Sequence, residues 1–163
     1  MSVKNYKFSY ERHADAQTLT AADRDLLHKA REITRKAYAP YSRFFVGAAA
    51  LLQNGTILYG TNQENAAYPV GICAERVLLS VAAMEHTGIP VAVMAVSYFN
   101  QSNPAAGNHP ISPCGMCRQY ISEYEQRTQH PIRLILSGME GEVYIIEKAS
   151  QLLPFRFGSD DLG

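Results

Sequence analysis

The chain of 163 residues holds three cysteines, in two short motifs, Cys73-Ala74-Glu75 and Pro113-Cys114-Gly115-Met116-Cys117. Two cysteines separated by two residues at a helix start turn both sulfurs toward one point. A third thiolate from another helix start completes three fixed ligands. Three protein ligands leave the fourth tetrahedral position of zinc open to water, the catalytic arrangement, whereas four close the site and make it structural. A closed all-cysteine site is therefore impossible within one subunit. Bound zinc lowers the pKa of water from ~16 to near ~7. A carboxylate two residues from a ligand sits beside that water without binding the metal, and Glu75 stands there as the candidate proton shuttle, with Cys73, Cys114 and Cys117 as ligands of one Zn²⁺ per chain.

Charge counting accounts for the neighbours. Three thiolates outweigh the two charges of zinc by one, which blunts its Lewis acidity. Helix N-termini at Cys73 and Cys114 supply partial positive charge and amide donors. Arg76 follows directly and is expected to hydrogen-bond a ligand sulfur, withdrawing electron density. The competing readings are weaker. A Cys-x-x-Cys redox pair leaves the distant Cys73-Ala74-Glu75 unexplained, and a structural zinc knuckle lacks its fourth ligand. His109 is the best internal candidate for that ligand, yet Asn108 and Pro110 mark a surface turn and predict a solvated ring. His13, His28, His86 and His130 show no ligand spacing.

Composition narrows the ligand. Lys plus Arg equals Asp plus Glu at 15 each. A protein that grips nucleic acid backbones ordinarily carries a basic excess, because phosphate neutralisation supplies most of that affinity. A small, weakly polar ligand fits better. Met1 to Phe8 form no continuous apolar stretch, so no secretory signal is read, and runs such as Val46 to Leu52 are too short to span a bilayer. An odd number of thiols and no export signal predict a cytoplasmic protein without a disulfide framework.

The elements that must position these motifs follow from periodicity. Residues 3–12 alternate aromatic and polar side chains and read as an extended arm or edge strand. Thr20-x-x-Asp23 resembles a capping box, and Leu26, Leu27, Ala30, Ile33 and Ala37 recur at helical spacing up to a stop at Pro40. Strands over 45–53 and through Tyr59 flank Asn54-Gly55, a hairpin signal in which both turn residues must tolerate positive φ. Residues 73–86 predict a helix stopped by Gly88 and Pro90. Val91 to Phe99 reads as a buried strand, Asn100 to Pro113 as a polar loop, and Cys114 to about Thr128 as a helix. Ile132 to Leu136 and Val143 to Ile146 are strands joined by six residues, which forces an antiparallel pair. The expected fold is a three-layer α/β/α sandwich around a single mixed sheet of about five strands, with an N-terminal arm over 1–19 and one catalytic domain over 20–163.

The motif set as a whole resembles the small, homotetrameric, zinc-dependent cytidine deaminases. Tyr38-Ala39-Pro40-Tyr41-Ser42-Arg43-Phe44, Val46-Gly47-Ala48-Ala49, Asn62-Gln63-Glu64-Asn65-Ala66-Ala67-Tyr68, Cys73-Ala74-Glu75-Arg76 and Ser112-Pro113-Cys114-Gly115-Met116-Cys117-Arg118-Gln119 occur in order across roughly 22–162. The metal and carboxylate pattern is that of zinc deaminases, including their three-cysteine variant. The resemblance implies hydrolysis of cytidine and deoxycytidine to the uracil nucleosides plus ammonia, as in pyrimidine salvage. It implies that Asn62 and Glu64 hold the ribose 3′-hydroxyl, Phe44 packs on the pyrimidine, and the Ala74 N–H meets the base carbonyl. It further implies that Ala66 and Tyr68 contact a neighbouring subunit's ligand and that Phe157 closes a neighbour's pocket. Independently of the family, an amide and a carboxylate two apart in a loop can serve one hydroxyl as donor and acceptor.

The sequence departs from the family at Gln63, at Leu78-Leu79 and in its first 19 residues, which bear on subunit contacts and the arm. A deaminase of a blasticidin-type antibiotic nucleoside shares the zinc motifs, but a free ribose calls for Asn62-x-Glu64-Asn65. A nucleic-acid-editing deaminase is disfavoured by Cys73 in place of the usual histidine, by the zero net charge, and by the tight 137–142 connection, where those relatives place a crossover helix. Intact Glu75 argues against a non-catalytic zinc protein.

Overall fold

The computed structural model describes residues 1–163, the side chain of Ala106 excepted. In chain order the main elements are β1 (Glu11–His13), α1 (Ala21–Ile33), β2 (Phe44–Leu52), β3 (Ile57–Thr61), α2 (Ala74–Glu85), β4 (Val91–Asn100), α3 (Gly115–Thr128), β5 (Arg133–Ser137) and β6 (Val143–Ile146). The strands form one mixed sheet in the order β1-β6-β5-β4-β2-β3. β4 and β5 are parallel and every other neighbouring pair is antiparallel, the β5–β6 pair included. No helix is long and apolar enough to cross a membrane among the described residues.

Alternation along the strands divides the core in two. Ala48, Ala50, Met94, Val96, Leu134 and Leu136 face one side, where Leu78 and Leu79 of α2 and Ile121 and Tyr124 of α3 cover them. Ala49, Ala95, Ile135, Val143 and Ile145 face the other, under Leu26, Leu27 and Ala30 of α1. This is the three-layer arrangement expected for strands buried on both faces.

Three features differ from the expectation. The sheet has six strands, not five. The extra one is β1, whose three residues pair with β6 (Glu11↔Ile145, His13↔Val143) while Arg12 forms an ion pair with Glu142 and the Tyr10 ring lies 4.9 Å from that of Tyr144. The alternation that suggested an extended arm or edge strand over 3–12 places it too early, since pairing covers only Glu11–His13. The first helix stops at Ile33, not Pro40. Thr34 turns its hydroxyl back to the Arg31 carbonyl (2.7 Å), a short 3₁₀ turn follows, and the Tyr38 N–H donates to the Asn62 carbonyl (3.0 Å), so pairing with a distant loop takes the backbone that periodicity assigned to the helix. The Leu52 N–H donates to the Thr56 carbonyl (2.9 Å), so the β2–β3 hairpin closes around three residues, 53–55. Only Gly55 has positive φ (86°), and Asn54 instead accepts from the Thr56 N–H through its side chain (3.1 Å). A type I turn closed by a left-handed glycine needs one such residue, not two.

Two glycines set the layer spacing. A Cβ on Gly47 would lie 2.2 Å from the Ala30 carbonyl oxygen of α1, and one on Gly60 would lie 2.2 Å from the Ala74 carbonyl oxygen of α2. Both helices therefore rest directly on strand backbone, and Gly60 supports the first turn that carries Cys73 to Glu75. Gly60→Ala is expected to cost about 2 kcal/mol in denaturant unfolding, the range for overpacking a filled core. An unchanged unfolding midpoint would show that α2 does not rest on that strand as described.

Candidate active site

β3 and β4 end, and β2 begins, at the same edge of the sheet, as the pairs Gly47↔Thr61 and Phe44↔Asn100 require. The loops leaving β3 and β4 lead into the N-termini of α2 and α3, which lie on one face. Antiparallel pairing therefore gathers Phe44, Asn62, Glu64, Cys73 and Cys114 at one end of the molecule, although up to 70 positions separate them in the chain.

Cys73 and Cys114 are the N-cap residues of α2 and α3. Their sulfurs stand 3.8 Å apart, Cys114 and Cys117 are 3.6 Å apart, and all three sulfurs lie within 4.8 Å of one another. Thiolates around tetrahedral zinc, at Zn–S distances of about 2.3 Å, stand about 3.8 Å from each other. The cluster thus has the spacing of a zinc site with three protein ligands. Among the described residues no other group of three or more His, Cys, Asp or Glu side chains has this convergence. His109 is exposed and its Nδ1 faces the Tyr98 hydroxyl (3.3 Å), so it does not join the sulfurs.

Glu75, in the first turn of α2, is only 4% exposed. Burial raises its carboxyl above the ordinary value and the negative charge of Cys73 adds to that, while its own backbone N–H, the Cys117 thiol and Arg76 partly oppose. A raised carboxyl suits a group that must both accept and return a proton near neutrality. The cysteines shift in opposite directions. Cys73 is pulled well below the usual thiol range, first by a hydrogen bond from Cys117 and further by Arg76 and Cys114, while Cys117, as donor and by burial, is pushed up. Such a cluster shares protons until a cation replaces them, whereupon all three ligands become thiolates. Arg76 donates from Nη2 to the Gly71 carbonyl (3.2 Å) and approaches the Cys73 sulfur at 4.0 Å.

The loop before α3 is fixed from behind. Arg118 reaches back from α3, donating through Nε to the Pro113 carbonyl (2.8 Å) and through Nη1 to the Leu152 carbonyl (3.2 Å). This anchor was not assigned from the sequence, although Arg118 belongs to the quoted motif.

The polar residues at the other end of the site are held as firmly. Asn62 brackets β2, accepting from the Val46 N–H (2.7 Å) and donating to the Phe44 carbonyl (2.9 Å). Glu64 accepts from the Tyr41 and Ser42 amides (3.0 and 3.3 Å). Burial alone would raise its carboxyl, but the Ser42 hydroxyl and these two amides together bring it below the ordinary value, so it is a carboxylate at neutral pH. Glu64, Tyr41, Ser42, Asn65, Tyr68 and Gly71 line a cleft of about 380 Å³. Arg43, at φ 56°, takes a left-handed turn that delivers Phe44 to the start of β2, where its ring stacks on Tyr98 at 4.7 Å. Ala66 and Tyr68 are exposed beside the cleft, and the Tyr68 ring meets Tyr41 edge-on at 6.1 Å. Phe157 lies on the tail, 59% exposed, with its carbonyl accepting from Gln119 (2.7 Å). The support given by Tyr98 was missed in the sequence. Its signal was available, because positions 94, 96 and 98 share the face covered by α2 and α3.

Comparison with known proteins agrees with this geometry. The sequence pattern of the cytidine and deoxycytidylate deaminase zinc-binding region matches residues 20–130. The chain is 37% identical over 141 residues to a cytidine deaminase of Halalkalibacterium halodurans, covering 86% of this chain and 98% of that one. It is 35% identical over 137 residues to a cytidine deaminase of Sporosarcina psychrophila, covering 84% and 92%. The crystal structure of cytidine deaminase from Burkholderia pseudomallei superposes with a TM-score of 0.69 at 35% identity, covering 85% of this chain and all of that one. With three sulfurs at zinc spacing, a buried carboxylate beside them and this match along the chain, the protein belongs to the zinc-dependent cytidine and deoxycytidylate deaminase family.

Proposed function

We propose that this protein hydrolyses the exocyclic amine of cytidine and deoxycytidine, giving the uracil nucleoside and ammonia. The observation that carries the proposal is Glu75, buried at the first turn of α2 against three sulfurs spaced for zinc. Cys73, Cys114 and Cys117 would hold the metal, which supplies the positive charge that acidifies a water at the open position. Glu75 would take a proton from the attacking water and pass it to the pyrimidine ring nitrogen as the water oxygen bonds to the amine-bearing carbon, then carry the second proton to the amine, which leaves as ammonia when the C–N bond breaks. The Ala74 N–H, in the first turn of α2 where backbone donors have no partner within the helix, meets the base carbonyl. Phe44 packs on the ring. Asn62 keeps a second amide hydrogen and lone pair beyond those used on β2, and Glu64 a second carboxylate oxygen, enough for one sugar hydroxyl as donor and acceptor. The reaction belongs to pyrimidine salvage in the cytoplasm, where the three thiols stay reduced.

The chemistry separates from binding in one variant. Glu75→Gln keeps size and shape but accepts no proton, so cytidine turnover should fall by at least about 10²–10⁴-fold with zinc retained. In the same absorbance assay, free cytosine should be a very poor substrate for the unaltered protein, since a site built for a hydroxyl is left with unpaired polar groups without it. Near-normal turnover by Glu75→Gln would remove it as the shuttle, and equal use of cytosine and cytidine would remove the sugar contacts.

The same reading extends to a homotetramer with shared sites. Phe155 is 96% exposed and Phe157 projects from the tail, while an apolar groove of about 590 Å³ runs along α3 past Met116, Gln119, Tyr120 and Tyr124. Exposed aromatic and methionine side chains of this kind are enriched at subunit interfaces. Ala66, Tyr68 and Phe157 would then complete a neighbour's site. Co-assembly of Glu75→Gln chains, which keep the tail, with Phe157→Ala chains should restore activity above Phe157→Ala alone. Light scattering that finds a fully active monomer would contradict the assembly.

A further inference from the structure

We propose that Tyr98 and His109 are positioning residues for the pyrimidine platform, a relay that locks Phe44 in register with the metal-binding loop. The inference rests on the reading that Phe44 packs on the base. Phe44 is half-buried, and one face of its ring lies against Tyr98 at 4.7 Å with 19° between the planes. Tyr98 is 1% exposed, so nothing of its ring is available to a ligand. Its hydroxyl shares a hydrogen bond with His109 Nδ1 at 3.3 Å, and the two rings meet at 68° with centroids 5.9 Å apart. A stacked pair resists sliding only if the rear ring is itself fixed, and the hydroxyl contact fixes it at its far end.

His109 in turn stands on a closely packed stretch of backbone. A Cβ on Gly138 would lie 1.8 Å from the Gly107 carbonyl oxygen and 3.3 Å from that of His109, and a Cβ on Gly141 would lie 2.3 Å from the Asn108 carbonyl oxygen. Three successive residues of the loop are thus pressed onto the backbone after β5. The Gly138 carbonyl accepts from Ser97 Oγ (3.0 Å), the residue before Tyr98, and from Arg31 Nε (3.0 Å). Loop and strand are therefore clamped to one point. Four residues past His109 the same loop reaches Pro113 and Cys114. Tyr98 and His109 consequently set the distance between the ring that receives the base and the sulfurs that receive the metal. Burying the Tyr98 hydroxyl costs stability unless hydrogen bonds are supplied, and His109 supplies one.

Steady-state kinetics with cytidine on the zinc-loaded full chain tests this, with zinc content and Tm measured for each variant. Phe44→Ala and Tyr98→Leu should each raise KM about three- to tenfold, the scale of one aromatic pair, with kcat changed less than about twofold. Tyr98→Phe and His109→Ala should each raise KM about two- to threefold, and the double variant should fall short of the product of the two effects, because the hydroxyl–imidazole bond is removed by both. His109→Ala alters an exposed residue and keeps the test open should Tyr98→Leu fail to fold. If Phe44→Ala raises KM while Tyr98→Leu leaves it unchanged, the relay is overturned and the base-packing role of Phe44 stands. If Phe44→Ala leaves KM unchanged, the base-packing reading itself is overturned. Full additivity of Tyr98→Phe and His109→Ala also overturns the relay.

Discussion

Three sulfurs from two helices must converge on one point at the zinc–sulfur bonding distance of about 2.3 Å. Cys73 comes from the start of α2 and Cys114 and Cys117 from the start of α3, so the two helices must begin at one edge of the sheet and lie on one face of it. Much of the architecture serves that condition. β4 runs antiparallel to β2 so that the loops after β3 and β4 emerge side by side. Gly60 lets α2 settle onto β3, Arg118 pins the loop entering α3, and Gly138 and Gly141 admit the 107–109 backbone.

The electrostatics follow from the same convergence. Clustered thiols and a buried carboxyl, with Arg76 as the cation acting on them among the described residues, make an unbalanced group of atoms. The opposed shifts of Cys73 and Cys117 express that imbalance. A divalent cation resolves it by taking the place of the shared protons. Glu75 remains outside the ligand set, and its raised carboxyl is a direct consequence of sitting in the layer between sheet and helix. Helix N-termini beneath Cys73 and Cys114 temper the excess negative charge that three thiolates bring to zinc.

The chemical centre was legible in the sequence because its spacing is local. Cys73-Ala74-Glu75 and Cys114-x-x-Cys117 each fit one helical turn, and both helices were anticipated within a residue of their observed starts. The Tyr98 support was not read, since a buried aromatic in a strand looks the same whether it fills a core or backs a ligand-binding ring. The arm or edge strand anticipated over 3–12 proved to be β1 at 11–13, and its pairing with β6, 130 residues away, was not legible because its own three residues carry no apolar face. The end of α1 was misjudged for a related reason. Helical periodicity ran on to Ala37, and only the pairing of residue 38 with the 62–64 loop, a tertiary contact, revealed that the chain had turned. Local rules located the reacting groups, whereas what braces them is written in contacts between distant segments.

The account holds that the three-sulfur cluster and Glu75 act as one hydrolytic centre, and metal titration tests this most directly. Protein stripped of metal under reducing conditions should have no cytidine deaminase activity. Activity should then rise in proportion to added zinc and level off at one equivalent per chain, with ammonia and the uracil nucleoside released in equal amounts. Cytidine turnover by the fully stripped protein, or protein that takes up one zinc through these thiols and still leaves cytidine untouched, would contradict it.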